Sequence, residues 1–153
     1  MIRDEQIARL TGAGALALLL GALGFQYLAH LAPCEMCHWQ RWPHIAAAVA
    51  GLLIVSFWKK DLRALAVFTI AMVALSGLIG AYQTGMQIGI LPGPGACTVA
   101  HPYVMGSGAP QPEISCNAVT WSLFGLSLAA YNALISLSMA AIGLFLLRRN
   151  RAA

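Results

Sequence analysis

The chain has 153 residues, of which 59% are hydrophobic and 9% charged, with a mean hydropathy of +0.74. Soluble domains carry about 25% charged residues, and a chain this short has too little interior to hide so much apolar surface from water, so a water-soluble globular domain is excluded. The formal charge of +4 does not point to nucleic acid, because the Lys and Arg residues are scattered beside apolar runs and form no stripe that could follow a phosphate backbone.

The first apolar run, over 10–31, matches the roughly 20 residues that cross a bilayer core. It is longer than the apolar part of a signal peptide, no A-x-A site closes it, and Pro33 stands where lipoprotein cleavage before Cys34 would need a small residue. A retained first transmembrane helix is expected. The second apolar run covers only 45–58, well short of a core about 30 Å thick at roughly 1.5 Å per residue. Its helix is therefore expected to begin upstream, beside Cys34, giving a span of 36–58. Pro33 would lie near the first turn, where a missing N–H costs nothing, and Pro43 would kink the interior.

Lys59, Lys60, Asp61 and Arg63 form a short charged turn before a third span over 65–83. Ala13, Ala17 and Gly21, and again Gly77, Ala81 and Gly85, recur at the four-residue spacing that lets helix backbones approach in lipid. The segment 84–120 then turns rich in Gly, Pro and Ser, with Leu91-Pro92-Gly93-Pro94-Gly95-Ala96-Cys97 and Gly106-Ser107-Gly108-Ala109-Pro110 as its clearest loop signals. It contains no Lys or Arg, and loops of this length are usually functional. A fourth span over 121–147 precedes Arg148, Arg149 and Arg151. The expected architecture is one all-α membrane domain, 1–153, folded as an antiparallel bundle of four transmembrane helices.

In that arrangement Arg3, Arg9, Lys59, Lys60, Arg63, Arg148, Arg149 and Arg151 share one side and only Arg41 takes the other. The positive-inside rule then puts both termini in the cytoplasm and all four cysteines on the opposite face. Disulfides form and persist there. Trp39, Trp42, Tyr103 and Trp121 map to the same outer boundary, as interfacial aromatic residues do.

The densest chemistry is Pro33-Cys34-Glu35-Met36-Cys37-His38-Trp39-Gln40-Arg41. Cys34, Cys37 and Arg41 stand three and four residues apart, on one helical face. A C-x-x-C bridge closes too short a loop to add much chain-entropy stabilisation, and a helix N-terminus favours the thiolate that carries out exchange. A redox-active pair is one reading, and inert structural disulfides are another. Cys34-Glu35-Met36-Cys37-His38 also matches the c-type haem attachment signature, which would make the chain a membrane-anchored cytochrome with His38 as proximal ligand. A zinc site of four thiolates is a further option. His38, His44 and His101 carry no assigned role, since interfacial histidines are more often surface groups than catalysts, and Asp4, Glu5, Asp61 and Glu113 read as solvated charges.

Taken in order, the string from Leu31 through the C-x-x-C pair to Arg41, the Pro92-Gly93-Pro94-Gly95-Ala96-Cys97 segment, and Cys116 followed by Trp121-Ser122-Leu123-Phe124-Gly125-Leu126-Ser127-Leu128 resemble the DsbB family of bacterial inner-membrane disulfide bond formation proteins. The match covers most of the chain. Two features depart from the pattern: the stretch between Cys97 and Cys116 is shorter than in the best-known members, and Gln83 and Gln87 stand where many relatives carry His and Glu. In the related vitamin K epoxide reductase-like proteins the cysteine pairs occur in the opposite order.

The resemblance implies a multi-pass inner-membrane enzyme with its active loops in the periplasm. It would reoxidise a soluble thioredoxin-fold thiol oxidase of the DsbA type and reduce a membrane quinone, ubiquinone or menaquinone. It further implies that the partner attacks Cys97 in a Cys97–Cys116 disulfide, that Cys116 then attacks Cys34, and that the freed Cys37 reacts with the quinone beside Arg41. Cys97, on a Pro- and Gly-rich loop, is expected to be presented to the soluble partner.

Overall fold

The computed structural model describes residues 3–57, 60–94, 97 and 115–150. Helix α1 (Asp4–Tyr27) leads to α2 (Glu35–Ala48), which continues through a π-helical segment (Val49–Ile54) into a single turn, α3 (Val55–Phe57). Helix α4 (Leu62–Gln87) follows. Strands β1 (Ser122–Leu123) and β2 (Leu126–Ser127) form a small antiparallel hairpin that leads directly into α5 (Leu128–Arg149). Trp58, Lys59, Gly95, Ala96, His101, Tyr103, the turn at 106–110, Glu113 and Arg151 lie outside the described residues.

Helices α1, α4 and α5 are each long and apolar enough to cross a membrane. The side chains are arranged for lipid. Leu10, Leu20, Phe57, Leu78, Ile142 and Phe145 are exposed, whereas the interior is built largely from small residues such as Ala8, Ala15, Ala47, Ala66 and Ala140. Without a hydrophobic force between helices, close backbone contact supplies the packing. Gly12 and Gly51 mark the tightest crossing, because a Cβ at either position would stand 2.9 Å from the other's Cα. Gly77 is a real contact position, against Leu137, but an added Cβ at Gly21 would meet nothing within 4 Å. The spacing of small residues therefore identified part of the packing surface and missed its tightest point.

The second expected span is helical over 35–57 and passes through Pro43. The irregularity falls at 49–54, where Gly51 meets α1. Other boundaries shift for local reasons. Helix α1 starts at Asp4, ahead of the apolar run, because the Gln6 side chain accepts from the Arg3 N–H at 2.9 Å, and it ends at Tyr27, ahead of the left-handed His30. Helix α4 extends to Gln87 and stops at Gly89 (φ +77°), with Ile90 and Leu91 N–H returning to the Gly85 carbonyl, a glycine C-cap.

The largest change is at the fourth span. Residues 122–127, expected to be helical, form a hairpin closed by Phe124 (φ +50°) and Gly125 (φ +77°). Two consecutive positive φ values make the tight turn whose twist matches paired strands. Ser127 then caps α5, accepting from the Ala130 N–H at 3.2 Å.

One end of the molecule gathers the basic residues. Arg63 lies 3.8 Å from Asp4 and donates to the Leu147 carbonyl at 3.4 Å, while Asn150 donates to Asp4 at 2.9 Å. Glu5 pairs with Arg9, and Asp61 caps α4 through the Ala64 N–H. Of the acidic residues expected to be solvated charges, Asp4 thus ties the start of α1 to the start of α4 and the end of α5. The cysteines lie at the opposite end of the helices.

Candidate redox site

Helix α2 begins where the chain changes from extended to helical at Cys34 (φ −85°, ψ 169°), and the Cys34 sulfur itself caps the helix, accepting from the Cys37 N–H at 3.2 Å. That conformation brings Cys34 and Cys37 together as a disulfide, with Cα atoms 5.0 Å apart. Cys97 and Cys116 form a second disulfide with Cα atoms 5.3 Å apart, and the Cys116 N–H and Ser115 hydroxyl both donate to the Cys97 carbonyl, at 2.8 and 3.1 Å. The two bridges share one buried cluster with Met36 and Met86. Cys97 is only 3% exposed, so the sulfur expected to face a soluble partner is covered in this state.

Gln83, on α4 and fully buried, joins the two pairs. Its Nε2 donates to Cys34 Sγ at 3.1 Å and to the Cys116 carbonyl at 3.3 Å, and lies 3.8 Å from Cys37 Sγ. Its Oε1 accepts from Gln40 Nε2 at 2.6 Å. Gln40 Oε1 in turn accepts from Asn132 Nδ2 at 2.8 Å, and Asn132 Oδ1 lies 2.9 Å from His44 Nε2. Ser76 adds a hydroxyl 2.9 Å from His44 Nε2 and donates to the Gln40 carbonyl at 2.9 Å. Buried polar groups are tolerated when they are paired, and this network joins α2, α4 and α5 deep in the bundle. Gln87 plays a similar part near the surface, accepting from Ser127 at 2.5 Å and donating to the Ala118 carbonyl at 3.5 Å, which fixes the hairpin base to α4.

Beside this network lies a cavity of about 420 Å³. Helix α1 contributes Leu18, Ala22 and Phe25, and the hairpin and α5 contribute Trp121, Leu123 and Ile135. Its polar wall comes from Cys37, Gln40, Arg41 and His44 of α2, with Gln83 and Asn132 opposite. Cys37 is the one cysteine in this wall; Cys34 is turned toward the second disulfide. Phe25 packs on Trp121 with ring centroids 4.9 Å apart, and Trp121 on Tyr131 at 6.3 Å.

Arg41 donates to Gln26 on α1 at 2.6 Å, which holds the guanidinium in the wall. Two buried nitrogens lack a hydrogen-bond partner among the described residues, Arg41 Nε and His44 Nδ1, and both belong to residues lining this cavity. The volume is within the range of small-molecule sites, and the mix of apolar walls with a few polar groups is what such sites use. A flat, apolar ring carrying polar oxygens fits this donor set.

Cys37 and Arg41 thus share the cavity wall, while Cys34 packs with Cys97 and Cys116. His38 is exposed and takes no part in the cavity wall. His44, to which the sequence assigns no role, is 3% exposed and hydrogen-bonded within the bundle. The spacing of Cys37, Arg41 and His44, at four and then three residues, would have placed His44 on the same helical face. Asn132 and Ser76 gave no such signal, since single polar residues in long apolar helices have many possible roles.

The chain matches the family model described as disulfide bond formation protein DsbB over residues 4–146. It is similar to proteins named disulfide bond formation protein B from two bacteria. The identity is 31% over 153 residues with that of Dechloromonas aromatica strain RCB, covering 92% of this chain and 91% of the relative. With that of Aromatoleum aromaticum it is 28% over 152 residues, covering 90% and 91%. No solved structure matches the chain significantly.

Proposed function

The chain belongs to the DsbB family of disulfide bond formation proteins, and from that premise we propose that it is an inner-membrane protein-disulfide:quinone oxidoreductase. In this reading it reoxidises a soluble periplasmic thioredoxin-fold thiol oxidase of the DsbA type and passes the electrons to a membrane quinone, ubiquinone or menaquinone. The observation that carries the reading is the division of the first pair: Cys37 lines the cavity with Arg41, while Cys34 packs with Cys97 and Cys116.

We place the continuous helical stretch 35–57 across the membrane as a fourth span, with both termini cytoplasmic and the disulfides at the periplasmic boundary. The gathering of Arg63, Arg9 and the chain ends at the pole opposite the cysteines supports this orientation.

The partner's thiolate attacks Cys97, the Cys97–Cys116 bond breaks, and the electron pair leaves on Cys116. Because Cys97 is covered at rest, this step requires the Cys97–Cys116 bridge to lift from the Met36–Met86 cluster. Cys116 attacks Cys34, which forms an inter-pair disulfide and leaves Cys37 as a thiolate. The second thiol of the partner then displaces Cys97, releasing the partner as a disulfide.

Gln83 serves the exchange by holding Cys34 Sγ and the Cys116 carbonyl on one nitrogen, which keeps nucleophile and target in register. Arg41 stabilises negative charge in the wall that contains Cys37. A bound quinone supplies the two-electron, two-proton sink for this thiolate. Arg41 would hold its polar edge beside Cys37, with Phe25, Trp121 and Leu123 against its apolar faces.

The partner step is tested with a thioredoxin-fold oxidase that retains only its attacking cysteine. The expected product is a mixed disulfide on Cys97, located by peptide mapping. An adduct on Cys34 or Cys37 instead, or none at all, would contradict the assignment.

A further inference from the structure

In the proposed reaction the partner dithiol gives up two electrons and two protons, and the cavity's ligand takes up both pairs. Sulfur carries the electrons, but a Cys37 thiolate brings no proton with it. The cavity wall holds no acid that could supply one. Among the described residues that line it there is no Asp or Glu, and Arg41 does not give up its proton in proteins. The Tyr131 hydroxyl donates to the Leu123 carbonyl at 3.0 Å. His44 has Nε2 engaged by Asn132 and Ser76, at 2.9 Å each, and Nδ1 buried. Both protons therefore have to come in through water.

A second, smaller cavity of about 40 Å³ lies against the Cys34–Cys37 bridge. Cys37, Gln83, Thr120 and Trp121 line both cavities, whereas Cys34, Gln87, Ala118 and Ser127 line only the smaller one. Its wall is in proportion the more polar of the two, and its volume exceeds the roughly 10–15 Å³ that a water molecule needs. The polar groups in that wall have hydrogen-bonding capacity left over. The Ser127 hydroxyl donates to Gln87 Oε1 and accepts from the Ala130 N–H at 3.2 Å, which uses one of its two lone pairs. Gln87 Nε2 has two hydrogens, and its bond to the Ala118 carbonyl is long, at 3.5 Å. Ala118 and Thr120 are exposed, so the chamber lies between the bridge and the surface at the cysteine pole.

We infer that this small chamber is the proton inlet of the redox site: water held by Gln87 and Ser127 passes protons from the outer aqueous phase to Cys37 and the ligand beside it. Electrons and protons then arrive at Cys37 by separate routes, the electrons through the sulfur of Cys34 and the protons through the chamber. The protons are those released outside when the partner's thiols are oxidised, so the reaction balances without another donor. Gln87 and Ser127 are positioning residues, acting through the water they hold. The inference rests on the proposed quinone-reducing site, but hydration of the chamber and proton access at Cys37 are measurable with no quinone present.

The test uses the full chain in lipid nanodiscs. In the oxidised, unmodified protein, magnetisation transfer from water should reach the Gln87 side-chain amide, a readout that does not depend on any variant folding. In the fully reduced protein without quinone, infrared spectra after a switch to heavy water should show the Cys37 S–H exchanging, its band assigned by loss in Cys37→Ser. Gln87→Leu is expected to slow that exchange about tenfold or more, as water-mediated proton transfer is lost. It should slow reduction of short-chain ubiquinone by a similar factor, while the mixed disulfide at Cys97 forms at the parent rate. Gln87→Glu keeps the acceptor for Ser127 and should restore both rates. No transfer from water to Gln87 in the parent protein, Cys37 exchange unchanged in Gln87→Leu, or equal losses at ubiquinone reduction and at Cys97 would overturn the proposal and leave the quinone site standing. A hydrated chamber with rapid Cys37 exchange, but no thiol consumed by any quinone, would overturn the proposed function and the inlet with it.

Discussion

Gln83 Nε2 stands 3.1 Å from Cys34 Sγ, and the same nitrogen reaches the Cys116 carbonyl at 3.3 Å. A single amide therefore joins the two cysteines that exchange in the proposed mechanism. Replacing Gln83 with Leu removes this bridge and strips Gln40 of one of its partners. We expect a stability loss of about 1–3 kcal/mol, the cost of leaving buried polar groups unpaired. We also expect slower appearance of the Cys34–Cys116 bridge after partner addition, followed by quenching and peptide mapping. An unchanged exchange rate in a folded Gln83→Leu protein would remove Gln83 from the mechanism.

Arg41 lies on the other side of the pair, in the cavity wall with Cys37. Arg41→Ala is expected to slow quinone reduction by tenfold or more, on the scale of about 1.5–3 kcal/mol for a charge-assisted contact, and to leave formation of the mixed disulfide at Cys97 within about twofold of the parent protein. Arg41→Lys should recover only part of the loss, because an ammonium cannot reproduce the planar guanidinium donors that now engage Gln26. Stopped-flow traces of quinone absorbance, set beside quenched exchange assays, separate the two steps. Equal losses at both would contradict the division of labour.

Because Cys37 alone of the cysteines lines the cavity, Cys37→Ser should keep the Cys97–Cys116 exchange and lose quinone reduction. Loss of the Cys34–Cys37 bridge also removes the Cys34–Cys116 acceptor step, so electrons from the partner should accumulate as free thiols on Cys97 and Cys116. Non-reducing mass mapping after partner addition reads this directly. Turnover of quinone by Cys37→Ser would place the reacting sulfur elsewhere.

The packing prediction concerns Gly51. An alanine there forces a Cβ to 2.9 Å from the Gly12 Cα and into the Ala8 carbonyl, so Gly51→Ala should destabilise by about 1–3 kcal/mol, the usual cost of overpacking. Gly24→Ala, in the same bundle but with nothing within 4 Å of the added carbon, should be neutral or stabilising by up to about 1 kcal/mol through helix propensity. Thermal unfolding in one detergent compares the two.

Phe124 occupies a left-handed conformation at the hairpin tip and is 90% exposed. A bulky residue pays roughly 1–2 kcal/mol there, which Asn avoids in part. Phe124→Asn should therefore hold or raise the melting temperature in detergent. A fall would show that the ring makes a contact that offsets the strain.

Much of this was legible in the sequence. Hydropathy located the three long helices, and the length shortfall of the 45–58 run correctly moved the start of its helix back to Cys34. The hairpin at 122–127 was not legible, because Leu123, Phe124, Leu126 and Leu128 extend an apolar run and apolarity does not separate strand from helix over so few residues. The Phe124-Gly125 step was the local sign of a turn. The polar network was hidden for a different reason. Gln40, Gln83, Asn132 and His44 are far apart in the chain, and only the packing of α2, α4 and α5 makes them one chain of bonds. Burial of Cys97 was equally invisible, since the Pro- and Gly-rich sequence around it predicts a loop and says nothing of what covers its sulfur.

The central claim, that electrons leave the cysteines for a quinone through Cys37, is tested most directly without any partner. The protein is fully reduced, freed of reductant, mixed with a ubiquinone or menaquinone analogue, and its remaining thiols are counted with an alkylating mass tag. The account predicts that all four thiols disappear as quinone is consumed, and that Cys37→Ser retains its thiols under the same conditions. Wild-type protein that keeps every thiol in the presence of each quinone would contradict it.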